Sequence, residues 1–345
     1  MGTELAPRSP DAIVDTDVLR ALRAHPPVFR DGLGTRYHVP GPGGEQIEVL
    51  ALHEALTAAP SFEFSLRERV GALAVFEHPA FMRIRGVQHL GRTGAGETAA
   101  LAIVSDCPAG ARLAELLAVA EQQSLPLDIT TALYLIRQLV DAVAALHEQM
   151  RGISHGALAP ERLVVAPQGR LLVADHAVGA ALEHLYFSHE KYWKDFGIPL
   201  PNPAGTPRFD QRADILQVGA VALALIVGRP LYRDEFPGRI GPLVERAWGL
   251  TAAGGAEPLP AAVRTWLAHA LQLDARQSFA SAVDARAELD RAGGADQGGA
   301  APAADQGGAA PAAVRAFLAQ CATHAASARA QADSPPQKPA TAAGR

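Results

Sequence analysis

Residues 129–175 prescribe an order of elements that few folds can accommodate. Leu133, Ile136, Leu139, Val140, Val143 and Leu146 recur at three- and four-residue spacing, which puts them on one face of a helix over 129–150. That helix feeds a loop, 155–162, and then two short apolar runs, LVV (163–165) and RLLVAD (170–175). Pro167-Gln168-Gly169 between the runs reads as a hairpin turn. A long helix that delivers a loop to a β-hairpin requires a second layer to cover the hairpin, so the chain must build a mixed α and β core.

The flanking segments divide cleanly. Residues 1–28 hold an amphipathic helix pattern (Ile13, Val14, Val18, Leu19, Leu22) that ends at His25-Pro26-Pro27. From 29 to 108 the pattern is β-like, with runs at 47–52 and 99–104 and one helix near 64–76 carrying Leu66, Val70, Leu73 and Val75. Residues 109–291 are helical apart from the hairpin and an irregular stretch at 178–211. Helices are expected at 113–120, at the very apolar 215–227, and near 238–248, 258–272 and 278–291. A tandem nonapeptide, ADQGGAAPA, repeats at 295–303 and 304–312, and Ala/Gly/Pro composition of this kind marks 292–312 as a linker. Val314, Phe317, Leu318 and Cys321 form an i, i+3, i+4, i+7 stripe on a helix over 313–331, and 332–345 reads as a disordered tail.

Composition removes several function classes. The chain has 345 residues, 48% hydrophobic and 19% charged, with formal net charge −5, so no basic surface points to nucleic acid. Two cysteines, Cys107 and Cys321, are too few for a disulfide framework and suit a reducing compartment. MGTELAPRSP lacks a secretory pattern, and no apolar run reads as a membrane span; 215–227, behind Arg212 and Asp214, has the length of a buried helix. A cytoplasmic protein with no membrane contact is the expectation. The only lysines are Lys191, Lys194 and Lys338, which leaves the first 190 residues with none.

The motifs carry a resemblance. LHEQMRGISHGALAPERLVV followed by LLVADHAVG resembles the catalytic core of the eukaryotic-like Ser/Thr protein kinases, where a helix leads to an HRDLKPEN loop, a β-turn-β unit and DFG. DILQVGAVALALIVGRPLY resembles the family's DxWxxG helix and trailing GRPPF, with Asp214, Gly219, Gly228, Arg229 and Pro230 at matching positions. RQSF (276–279) is similar to the arginine motif before the last helix, FEHPAFMRIRGV (76–87) to the LxHPNIV segment, and SDCPAGARLAELL (105–117) to the hinge. The resemblance spans about 29–291 and implies an α+β, two-lobed fold, with a β-rich N-lobe over 29–108 and a helical C-lobe over 109–291.

Position by position, the resemblance implies a chain stripped of its chemistry. Phosphoryl transfer needs a carboxylate at the substrate hydroxyl, a lysine on the phosphates, two metal ligands and a backbone cradle. The catalytic-loop aspartate falls at Ala157, the loop lysine at Ala159 and the second metal ligand at Arg162. The phosphate-anchoring lysine aligns with His53, and its helix partner with Glu68 or Arg69, Arg69 fitting the spacing better by one residue. No GxGxxG precedes a strand, and GTPRFDQRAD (205–214) stands where APE belongs. Asp175 alone remains as a metal ligand, so no cofactor is expected beyond an ATP/Mg site with a single carboxylate. His155, His176, Asp214 and Gly219 match structural positions, His176 taking the place of the DFG phenylalanine.

Other chemistries have less support. Gly152-Ile153-Ser154-His155-Gly156 spells GxSxG, but a helix precedes it and a strand follows, the reverse of a nucleophile elbow. His53-Glu54 and His147-Glu148 lack the second histidine of HExxH. The expectation is a catalytically inactive kinase-like module acting through a protein partner, an active kinase being one such partner. A divergent phosphotransferase and a small-ligand module without turnover are the alternatives. Two segments are candidate partner surfaces: 184–203, rich in aromatics (Tyr186, Phe187, Tyr192, Trp193), and 313–331. For each, packing onto the chain's own C-lobe is the competing reading.

Overall fold

The coordinates are a computed structural model that describes residues 22, 24–41, 43–90, 100–201, 205–251, 253–295 and 309–332. The N-terminal helix pattern up to Ala21, most of the nonapeptide linker and the tail from 333 therefore lie outside the described residues.

Alternation of apolar and polar residues builds the first layer. β1 (Phe29–Asp31), β2 (Gly34–Pro40), β3 (Gln46–Leu52), β4 (Ile84–Leu90) and β5 (Ala100–Asp106) form an antiparallel sheet in the order β1-β2-β3-β5-β4. The run at 47–52 and the described part of 99–104, from Ala100, are thus strands, while β1, β2 and β4 add three that apolar patterning does not reveal. β2 (GTRYHVP) and β4 (IRGVQHL) mix charged residues and glycine into the strand. After β3 come the single turn α1 (Glu54–Thr57) and α2 (Pro60–Ala72), the latter four residues earlier than its expected start. Pro60 opens α2, where its missing N–H costs nothing.

The second layer is helical. α3 (Leu113–Gln123) and α4 (Ile129–Gln149) follow a short strand, β6 (Ala111–Arg112). Against the expectation that no run reads as a membrane span, α4 has the length and apolar composition of one. Its buried stripe of Leu135, Ile136, Leu139, Val140, Val143 and Leu146 makes it a core helix of the C-lobe. β7 (Leu163–Val165) and β8 (Leu171–Val173) form the expected hairpin. The stretch 178–211 is not wholly irregular, because it holds α5 (Val178–Glu183) and α6 (His189–Phe196).

α7 (Gln211–Val227) is capped by the Asp210 carboxylate, which accepts from Arg212 N and Ala213 N at 3.0 Å each. It ends at Gly228 in the left-handed region, φ +69°. α7 is buried on every side and crosses α9 (Ala261–Ala270) closely enough that a Cβ on Gly219 would lie 3.0 Å from the Ala270 carbonyl carbon and Leu271 N. Between them in the chain lie α8 (Ile240–Glu245) and a small hairpin, β9 (Trp248–Leu250) and β10 (Ala256–Pro258), whose strands are too short and mixed to show as apolar runs. α10 (Ala282–Ala295) and α11 (Ala309–Ala332) complete the chain.

Candidate functional site

The catalytic-loop equivalent is held from below by α7. Asp214, fully buried, accepts from His155 N (2.8 Å) and Gly156 N (2.6 Å), as the resemblance implies. Its carboxylate also takes a hydrogen bond from His147 Nε2 at 2.8 Å. One turn later, Gln217 Oε1 accepts from Leu158 N (2.8 Å) and Gln217 Nε2 donates to the Gly156 carbonyl (3.0 Å). Gln217 and His147 were missed by motif reading, although Gln217 sits at i+3 from Asp214, on the same helix face. His155 Nδ1 accepts from Ala157 N (3.2 Å), so Nε2–H donates to the Ala174 carbonyl (2.9 Å). That is a neutral imidazole, in keeping with burial that pushes His155 below the ordinary histidine range.

Above this scaffold the cleft is filled with charge of both signs. Asp175, at φ +60° and 3% exposed, is paired with Arg36 of β2: Arg36 Nη2 donates to Oδ2 at 2.7 Å and Nη1 to Oδ1 at 3.3 Å. The same guanidinium, fully buried, donates to Asp31 Oδ2 and to Glu48 Oε1, each at 3.0 Å. Burial opposes its charge, but Asp175, Asp31 and Glu48 outweigh it and push Arg36 well above the ordinary arginine value. Arg112 pairs with the second oxygen of Glu48 and donates to the Glu161 carbonyl at 2.8 Å. Desolvation would raise Glu48 and Asp31, yet His38 and the arginines hold Glu48, and Arg36 and Arg162 hold Asp31, below the usual carboxylate range.

Arg162 occupies the second metal-ligand position. It is fully buried and donates to the carbonyls of Ala157 (3.1 Å) and Phe196 (3.0 Å). Burial lowers its pKa, while Asp31, Glu161 and Asp175 act the other way. Three arginines (36, 112, 162) and three carboxylates (31, 48, 175) thus share one buried volume, each no more than about 6% exposed at its side chain. Ala157 and Ala159 are buried beneath it and offer no side-chain donor or acceptor.

The N-lobe side of the cleft is closed by packing. The β1–β2 turn takes the place of a glycine-rich loop, with Asp31 Oδ1 accepting from Leu33 N (2.8 Å) and Gly34 N (3.3 Å). It presses on α6 so tightly that a Cβ on Gly32 would stand 1.9 Å from the Asp195 carbonyl oxygen. Leu33, Leu50, Phe62 and Leu66 of the N-lobe form one buried cluster with Ala157, Leu182, Tyr192 and Phe196 of the C-lobe.

Several sequence-based placements change here. His53 is exposed, lies beyond β3 and caps α1 by accepting from Ala55 N at 3.2 Å, so it is not at the phosphate-anchoring position. Strand alternation puts Glu48, Leu50 and Leu52 on the cleft face instead. Neither Glu68 nor Arg69 pairs with β3; α2 turns Phe62, Ser65 and Leu66 inward, and Arg69 faces Glu183 and Asp214. His176 lies against Phe76 and Phe81 in edge-on contacts, and burial pushes it down to about 3, so the ring is neutral. A groove of about 1130 Å³ opens beside it, lined by α2 and β4, away from the charge cluster. Among the described residues no three His, Cys, Asp or Glu side chains converge as a metal site.

The two candidate partner segments both turn inward. Tyr192, Trp193 and Phe196 are buried; Tyr192 Oη donates to the Leu182 carbonyl (2.6 Å) and Trp193 Nε1 to the Arg233 carbonyl (2.7 Å), leaving Tyr186 exposed. α11 seats Val314, Phe317 and Cys321 against the α3–α4 core of the same chain.

Comparison with known proteins agrees with this architecture. No protein-family model matches the chain. A protein of Oryza sativa subsp. japonica, provisionally named cyclin-dependent kinase F-2, is 30% identical over 201 residues, a stretch covering 57% of this chain and 57% of that protein. The crystal structure of the M. tuberculosis PknI kinase domain superposes with a TM-score of 0.56 at 20% identity, covering 78% of this chain and 94% of that one. Maize SIRK1, a sucrose-induced receptor kinase crystallised with AMP-PNP, gives 0.55 at 17% identity over 79% and 95%. The chain has the two-lobed protein-kinase fold.

Proposed function

We propose that this protein is a catalytically inactive kinase-fold module that works by binding another protein, an active kinase being a fitting partner. The observation that carries this reading is the Arg36–Asp175 pair at 2.7 Å, the one surviving metal-ligand carboxylate being already neutralised by a buried cation. A divalent ion at Asp175 would have to displace that guanidinium, and Arg162 would repel it from the other side. The cleft residues therefore do not fit a magnesium–nucleotide complex, and no transfer step is derived through one. General acid–base groups contribute about 10²–10⁴-fold and electrostatic stabilisers about 10²–10³-fold, so alanines at 157 and 159 remove most of the rate on their own.

Tyr192, Trp193 and the α11 stripe are buried, so exposed Tyr186 within 184–203, and exposed Phe64 and Val75 on and just beyond α2, are the apolar groups a partner would meet. Incubation with radiolabelled ATP, magnesium and generic protein substrates tests inactivity. The outcome predicted is label no greater than with Asp175→Ala protein; transfer that disappears in that variant would refute it.

A further inference from the structure

The N-lobe sheet is apolar on both faces, whereas an antiparallel sheet commonly leaves one face to water. Glu48, Leu50 and Leu52 of β3 turn to the cleft, so Ile47 and Val49 turn the other way. Ile47 and Val49 join Val39 of β2, Ala102 and Val104 of β5 and Leu90 of β4 in an outer patch, each no more than 5% exposed. Among the described apolar residues packed on it, Tyr37, Ala51 and Ala100 belong to the same strands, and Leu22 alone comes from outside the sheet. A buried core residue touches about 6–12 others, so one half-buried leucine cannot close a patch of this width.

Leu22 marks where the cover enters. Leu22 and Ala24 are helical, Leu22 packed on the patch and Ala24 exposed, and only residues 25–28 separate them from β1. Upstream, Val14, Val18 and Leu22 stand at i, i+4 and i+8 with Leu19 beside them; Asp15 borders that stripe, and Asp17, Arg20 and Arg23 fall away from it. A helix rises about 12 Å from Val14 to Leu22, against about 14 Å across the four strands that carry the patch. The short connection to β1 keeps this segment at high effective concentration beside its own sheet, which favours it over a second copy.

We propose that residues 11–24 form a helix that docks in cis, through Val14, Val18 and Leu22, on the outer face of the N-lobe sheet. The segment then seals the back of β3, whose other side presents Glu48 to Arg36 and Arg112. Docking there holds one wall of the buried charge cluster in place from behind, because the outward Val49 and the inward Glu48 are neighbours on one strand.

The test uses the full chain, with the photo-crosslinker p-benzoylphenylalanine in place of Val18 or of Arg20, in an equal mixture of ¹⁵N-labelled and unlabelled protein. Mass spectrometry should find the Val18 probe joined to peptides of β2, β3 or β5 from the same chain, and the Arg20 probe, on the far side of the helix, joined to none of them. In a separate measurement that leaves the native side chains on the sheet, Val18→Asp should speed amide exchange about tenfold at Ile47–Val49 and Ala102–Val104, and Arg20→Asp should not. Exchange unchanged by Val18→Asp, or cross-links from the Val18 probe that fall only on the C-lobe, would overturn the docking. Cross-links that join labelled to unlabelled chains would overturn the assignment in cis and make a second copy the occupant.

Discussion

The floor of the cleft and its interior are both buried, both polar and only a few residues apart, yet they follow different rules. On the floor, Asp214, Gln217 and His155 each bond to backbone groups of the loop, so the side chains exist to fix a chain path. In the interior, Arg36, Glu48 and Asp175 bond to other charged side chains, so these groups fill a volume. A buried backbone N–H left unpaired costs the same in any member of this fold, whatever its activity. The space above has no such requirement, and once no ligand must enter it, a set of charges that cancel can close it. The contrast teaches that side chains which fix the chain path and side chains which fill the cleft can be told apart one by one.

The sharpest way to break the contrast is Arg36→Ala, which removes the guanidinium shared by three buried carboxylates. It should lower unfolding free energy by about 3–5 kcal/mol, measured by urea denaturation, because removing one partner of a buried ion cluster costs far more than the cluster contributes. Phe317→Ala, on the C-terminal helix remote from both regions, should cost about 3 kcal/mol if the helix is part of the folded core. A loss below about 0.5 kcal/mol would mean that α11 is undocked in solution. On the floor, Asp214→Asn keeps the shape but turns one accepting oxygen into a donor facing a backbone N–H. About 2 kcal/mol should be lost, together with hydrogen-exchange protection at His155 and Gly156 while the interior cluster survives.

Acid separates the regions by titration range. His155 and His176 are both held below their unfolded value, so the unfolded chain binds protons that the native one refuses. The His176 contribution is intact above about pH 6.5 and is lost as pH falls toward 3, at about 1.4 kcal/mol per pH unit, and His155 adds a loss in the same direction. The depressed carboxylates Asp31 and Glu48 add a second loss, which begins only below about pH 4. His176→Phe should therefore flatten the stability profile between pH 6 and 4 and leave the lower limb unchanged; urea midpoints across that range decide it.

Much of the floor can be read from sequence, because apolar periodicity places α4 and α7 and the motif spacing puts Asp214 under the loop. The interior cannot. Arg36 lies in GTRYHVP, a short strand with too few apolar residues to register as one, and its partner Asp175 is 139 residues away. A lone arginine in such a segment reads as a solvated side chain, and only the pairing of β2 with β3 reveals that it points inward. His53 illustrates a related limit: the strand before it holds no lysine, and motif spacing alone cannot tell that His53 lies one residue beyond β3, where it caps α1.

Isothermal titration with ATP and magnesium tests most directly whether the cleft is filled by the protein's own charges. A self-filled cleft predicts no binding heat at millimolar nucleotide and no change in unfolding temperature. Saturable, magnesium-dependent binding that adds about 2.7 kcal/mol of stability at a hundredfold excess over Kd, and that is abolished by Asp175→Ala, would contradict it.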